Sequence, residues 1–159
     1  MAGQVPVIPS FDEFVAARLG PLRAYAHLLA GDEAAAIGLV DEALVRTGLA
    51  WSRVTKDGDP EADVRATVVA LYLSRWPARS RVGATGADDR QAAATRSELA
   101  AHLQPALQRL PRRLRTVLVL RYVDGLPDSE VARLLGCSER KVRSDAAEAT
   151  ARLAPVTCR

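Results

Sequence analysis

Residues 128–153 read DSEVARLLGCSERKVRSDAAEATARL. Asp128 stands where a helix cap is expected, and Val131, Leu134 and Leu135 follow at helical spacing as an inward face. Ala132 is small enough for a second helix to cross closely. Gly136 can adopt the left-handed conformation that ends a helix in a tight turn. Ser138 is the expected cap of the next helix, and Val142 returns to the core. A small residue, a glycine four positions later and an apolar residue six after that is the spacing of a helix-turn-helix.

That geometry lays the second helix in a DNA major groove, with its first residues reaching base edges and phosphates. Ser138, Arg140, Lys141, Arg143 and Ser144 are the candidate contacts, with Glu139 also on the outward side. Arginine can grip guanine through two hydrogen bonds, worth about 1–3 kcal/mol of discrimination, while lysine more often meets phosphate. Asp145 and Glu148 oppose this reading if they face the duplex. The competing reading is the solvated face of an ordinary helical hairpin.

Working outward, everything regular reads as helix. Ser10 and Glu13 form a capping box ahead of Phe11, Phe14, Val15, Leu22 and Leu29. Gly31 stops that helix and Asp32 caps the next, whose apolar face holds Ile37, Val40, Leu44 and Trp51. Lys56-Asp57-Gly58-Asp59 reads as a turn, after which Asp59 caps a helix beginning at Pro60, with Val64, Val68, Leu71 and Tyr72 inside. Pro77 ends this part. Residues 77–97, with Gly83 and Gly86, lack periodicity and read as a flexible linker. Beyond it, Pro105 is expected to restart a helix and Leu110-Pro111 to break one. Leu114, Val117, Leu118 and Arg121 share a face before Asp124-Gly125 turns the chain. The expected fold is all-α: a helical bundle over 10–76, a linker over 77–97 and a helix-turn-helix domain over 98–155.

Charge is unevenly divided along the 159 residues, whose net formal charge is +3. Residues 1–76 carry 7 basic and 10 acidic side chains, or −3, whereas 98–159 carry 11 and 7, or +4. The C-terminal part therefore suits phosphates and the N-terminal part a protein surface. No apolar run approaches the roughly 18 residues a membrane span needs, so a cytoplasmic protein is expected. Cys137 and Cys158 are too few for a disulfide framework or a zinc site, and Cys137 reads as a small core residue. His27 and His102 stand alone on helices, and no phosphate-binding loop or nucleophile motif is present. Neither catalysis nor a cofactor or metal is expected.

LQRLPRRLRTVLVLRYVDGLPDSEVARLLGCSERKVRSDAAEATARL (107–153) resembles the fourth conserved region of bacterial sigma factors of the extracytoplasmic-function type. FDEFVAARLGPLRAYAHLLAGDEAAAIGLVDEALVRTGLAW (11–51) resembles the first half of their second region. PEADVRATVVALYLSRW (60–76) occupies the place of that region's promoter-reading helix. The resemblance implies a subunit that directs core RNA polymerase to promoter DNA. Leu39, Val40, Asp41, Glu42 and Arg46 would dock on the polymerase clamp. Trp51, Arg53, Arg65, Tyr72 and Arg75, with Trp76 nearby, would hold the downstream element, where bases are unstacked. Ser138, Arg140, Lys141, Arg143 and Ser144 would read the upstream element, and an anti-sigma factor is an implied partner.

The chain also departs from that pattern. Ile37-Gly38 and Asp41 stand where an acidic pair and a glutamine are usual. Asp63, Arg65 and Ala66 stand where an aromatic and paired arginines are common, and the basic cluster after the third helix shrinks to Arg75, Arg79 and Arg81, interrupted by Pro77. Weak promoter melting follows as an expectation. Two alternatives stay open: a sigma-like accessory regulator, and a module that binds only protein.

Overall fold

The computed structural model describes residues 10–75 and 97–157. Every regular element among them is helical: α1 (Phe11–Ala30), α2 (Glu33–Leu49), α3 (Trp51–Asp57), α4 (Pro60–Arg75), α5 (Ser97–Arg109), α6 (Arg112–Leu118), α7 (Asp128–Leu135) and α8 (Glu139–Thr157). A π-helical turn, Val119–Val123, extends α6. The expected linker, and Trp76 with it, lies outside the described residues.

Local chemistry sets most of the boundaries. The Ser10 hydroxyl accepts from the Glu13 amide while the Glu13 carboxylate accepts from the Ser10 amide, closing the capping box. Gly31, at φ 73°, ends α1, and the Asp32 carboxylate caps α2 by accepting from the Ala35 amide. Asp59 accepts from the Glu61 amide ahead of α4. Gly125 and Gly136 also have positive φ, and at Gly136 the left-handed residue turns α7 toward α8.

Three local expectations need correction. Trp51–Asp57 is a helix, so only Gly58 and Asp59 remain of the expected turn. Pro105 lies inside α5 rather than restarting it; the helix runs through at the loss of one backbone bond. Asp128 is the first residue of α7 and not its cap, which is Pro127 with no side-chain hydrogen bond.

In the N-terminal module α2 packs between α1 and α4. Leu22, Leu29, Val40, Val64 and Val68 are fully enclosed there. In the C-terminal module α8 crosses α6 and α7, burying Val131, Val142, Ala146 and Ala149. The two modules are not separate bodies. Val117, Val119 and Leu120 join the same apolar cluster as Tyr25, Val68 and Tyr72, so one core runs through both.

Candidate nucleic-acid interface

Ser138 stands just ahead of α8, and its hydroxyl accepts from the Lys141 amide at 3.2 Å. That bond satisfies one of the amides a helix start leaves unpaired and fixes the direction in which α8 leaves the turn. The stripe through Val142, Asp145, Ala146, Ala149 and the half-buried Leu153 faces the protein. Ser138, Glu139, Arg140, Lys141, Arg143 and Ser144 are all exposed. All five expected upstream contacts thus share one accessible surface at the start of α8.

Asp145 is turned inward, which removes half of the acidic objection raised by the sequence. It is 1% exposed and accepts from Arg113 Nε at 2.8 Å and from Lys141 Nζ at 2.7 Å. Burial alone would push its carboxyl up, but the hydrogen bonds from Lys141 and Arg113 outweigh that and hold it below the usual carboxylate range. Glu148 stays exposed, paired with Arg152 at 2.6 Å, further along the helix from the Ser138 end. Arg143 lies 3.5 Å from Glu139 and 3.7 Å from Asp128, while Arg121 takes the other Asp128 oxygen at 2.8 Å. Arg140 has no ion pair among the described residues. It is the least encumbered cation on the surface.

The residues expected at the downstream element are scattered by comparison. Trp51 is half-buried against the rings of Phe11 and Phe14, with centroids 5.3 and 5.2 Å away. Arg53 is exposed. Arg65 reaches Asp124 at 2.7 Å and Glu61 at 2.6 Å and lies over the Tyr25 ring. Tyr72 is 3% exposed and is therefore a core residue in this conformation. Arg75 ends α4, and its side chain lies outside the described residues.

The expected polymerase-docking set also divides. Leu39 and Val40 are buried among α1 and α4, so neither offers surface to a partner here. Asp41 and Arg46 are exposed, with Arg46 bonded to Glu42 at 2.7 Å. Sequence reasoning missed Val45 and Leu49, which are 62% and 87% exposed on the same outward face. The signal was available: 41, 45 and 49 recur every four residues, opposite 36, 40, 43, 44 and 47.

Residues 102–153 match the family model of sigma-70, region 4. The C-terminal module is similar to region 4 of that family. Across the whole chain the fold is similar to that of the sigma factor RpoE of Bartonella quintana, solved in complex with the anti-sigma factor NepR. The TM-score is 0.65 at 18% identity, covering 92% of this chain and 96% of that one. The likeness to region 4 thus falls on the C-terminal module, and the likeness in fold extends over both modules. No curated protein matches it. None of the described helices is long and apolar enough to cross a membrane.

Proposed function

We propose that this chain is a promoter-specificity subunit of the extracytoplasmic-function type, which binds core RNA polymerase and brings it to particular promoters. The observation that carries the reading is the start of α8 in region 4, where Arg140, Lys141 and Arg143 stand exposed and the one buried acid points away. Arg140 and Arg143 would read bases of the upstream element, and Lys141, Ser138 and Ser144 would hold phosphates.

The outward face of α2 is the surface for the polymerase in this reading. Asp41, Glu42 and Arg46 supply its charge, and Val45 and Leu49 supply apolar area that a monomer would otherwise leave in water. Trp51, Arg53, Arg65, Tyr72 and Arg75 are assigned to the downstream strand. An anti-sigma factor is a fitting further partner, since the RpoE structure that this fold resembles was solved with one.

Co-purification with core polymerase and run-off transcription from selected promoters test the proposal together. Expected are a stable complex and transcripts that depend on Arg140 and Arg143. Binding to duplex DNA without any binding to polymerase would reject it. A second reading, an accessory factor that melts poorly, draws on the enclosure of Tyr72 and on the scarcity of cations along α4, whose two arginines are matched in number by Glu61 and Asp63. Permanganate footprinting separates the two: the first reading gives a bubble that is weak on linear templates and grows with supercoiling or an activator, whereas no bubble under any condition, with polymerase binding intact, selects the second.

A further inference from the structure

The seam between the two modules has an apolar floor in Val117, Val119 and Leu120, but polar groups close its edges. The last carbonyls of α1 accept from side chains of the other module, that of His27 in addition to the Gly31 amide. Gln104 Nε2 donates to the His27 carbonyl at 2.7 Å, Gln108 Nε2 to that of Leu28 at 3.4 Å, and Arg115 Nη1 to that of Leu29. Gln108 packs so closely over Gly31 that a Cβ there would overlap its amide.

A second group gathers on Asp124, whose side chain is 8% exposed. It accepts from Tyr25 Oη and from Arg65 Nη1, both at 2.7 Å. A third gathers on Tyr72. Arg112 lies over its ring at 4.4 Å and donates to its carbonyl at 2.8 Å, while Arg115 Nη1 donates to its hydroxyl at 3.1 Å. Arg65 and Tyr72 are the α4 residues assigned above to the downstream strand. Groups from the C-terminal module hold both. The start of α8, by contrast, is left open.

We propose that this arrangement is an autoinhibited form, in which region 4 is latched over α4 through Asp124, Gln104, Gln108, Arg112 and Arg115. Upstream duplex can bind the closed chain, whereas a single strand meets Arg65 and Tyr72 only after the latch opens. Ion pairs and hydrogen bonds close the edges of this seam, and contacts of that kind can exchange with water when two modules of one chain part. The cost of opening then appears as a reduced apparent affinity, in proportion to the fraction of chains that are open.

The inference rests on the proposed function, and its test is read separately. In the full chain, Asp124, Gln104 and Gln108 are replaced together by alanine; none of them is assigned to DNA or polymerase. Radius of gyration is measured by X-ray scattering, and affinity with fluorescein-labelled, mixed-sequence single-stranded and duplex DNA. The variant is expected to expand and to bind the single strand about tenfold more tightly, with duplex binding unchanged. Equal size and equal strand affinity in variant and wild type, with helical content retained, would overturn the latch, as would a wild type already expanded. Should the triple variant lose its helical content, Asp124→Asn decides on the same readings with a smaller expected change. Loss of duplex binding in every chain would reject DNA reading by α8, and scattering would still judge the latch.

Discussion

Helices α4 and α8 are both amphipathic, both carry arginines, and both were expected to touch promoter DNA, yet they stand in opposite situations. Helix α4 packs chiefly against α2 and α1, and the C-terminal module meets it through α6; Val64, Val68, Val69, Leu71 and Tyr72 are all buried. Helix α8 is anchored along one narrow stripe, and the residues between Ser138 and Ser144 stay in solvent apart from Val142. A guanidinium on α4 meets a carboxylate of the same chain, while Arg140 on α8 meets none among the described residues. What a cation can do for DNA depends on what the fold has already given it. Counting arginines in a helix does not distinguish the two cases.

The strongest way to break the comparison is to remove the group that ties the two regions together. Arg115 is 6% exposed, and its guanidinium donates to the carbonyls of Leu29, Leu107, Gln108 and Leu110 and to the Tyr72 hydroxyl. Burial pushes its pKa down, against the pull of Tyr72, but an arginine starts so high that it stays charged. Arg115→Ala leaves several buried carbonyls without donors, at about 1–3 kcal/mol for each that water cannot reach. An overall loss of about 3–5 kcal/mol is expected in urea unfolding, and lysine should not restore it, having no planar fork. A loss below about 1 kcal/mol would mean that water replaces the guanidinium and that the modules are held by apolar contact alone.

The next test sharpens the α8 side. Arg140→Ala should weaken the preferred upstream sequence by about 1–3 kcal/mol and relax preference at one base pair, while leaving urea stability unchanged because the side chain is exposed and has no ion pair among the described residues. A uniform loss across all sequences would reassign Arg140 to phosphate.

Acid offers a smaller, signed test of how α8 is oriented. Asp145 is held below its usual range, so its contribution is full at neutral pH and is lost as pH falls through its folded value, beneath the ordinary carboxylate value of about 4. Asp145→Asn should flatten the acid limb of stability measured between neutral pH and pH about 3. An unchanged slope would show that Arg113 and Lys141 do not hold the carboxylate in solution.

Much of this was legible in the residues. Ser10 with Glu13, Gly31, Asp32, Asp59 with Pro60, Gly136 and Ser138 each mark a boundary by chemistry that acts within a few residues, and the structure keeps them all. Helix α3 escaped because it has no side-chain cap and its polar end, Lys56-Asp57, resembles a turn. Leu39 and Val40 were assigned to a partner by likeness, although helical spacing alone turns them toward Val64 and Val68. The seam could not be read at all. Tyr25 and Asp124 are 99 positions apart, and no local pattern marks a tyrosine that will meet a distant carboxylate. Nor does a sequence show that Arg115, flanked by exposed-looking arginines at 112 and 113, is the one that goes inside.

Lys141 carries the finest distinction between a cation that is free and one that is engaged. Its ammonium bonds to Asp145 at 2.7 Å but remains about half exposed, so it is neither locked away like Arg65 nor open like Arg140. To hold a phosphate it must exchange one anionic partner for another or share itself between them, and Arg113 would keep Asp145 paired meanwhile. The net gain from such an exchange is smaller than from a cation that meets phosphate unencumbered. The counterion bookkeeping is unaffected, because a condensed ion leaves the duplex whichever lysine displaces it. Lys141→Ala should therefore lower the magnitude of the salt slope by about 0.9 while weakening affinity less than Arg140→Ala does. The two quantities come from one titration series in salt. A full unit of slope with an affinity loss equal to that of Arg140→Ala would mean that Asp145 releases Lys141 before DNA arrives.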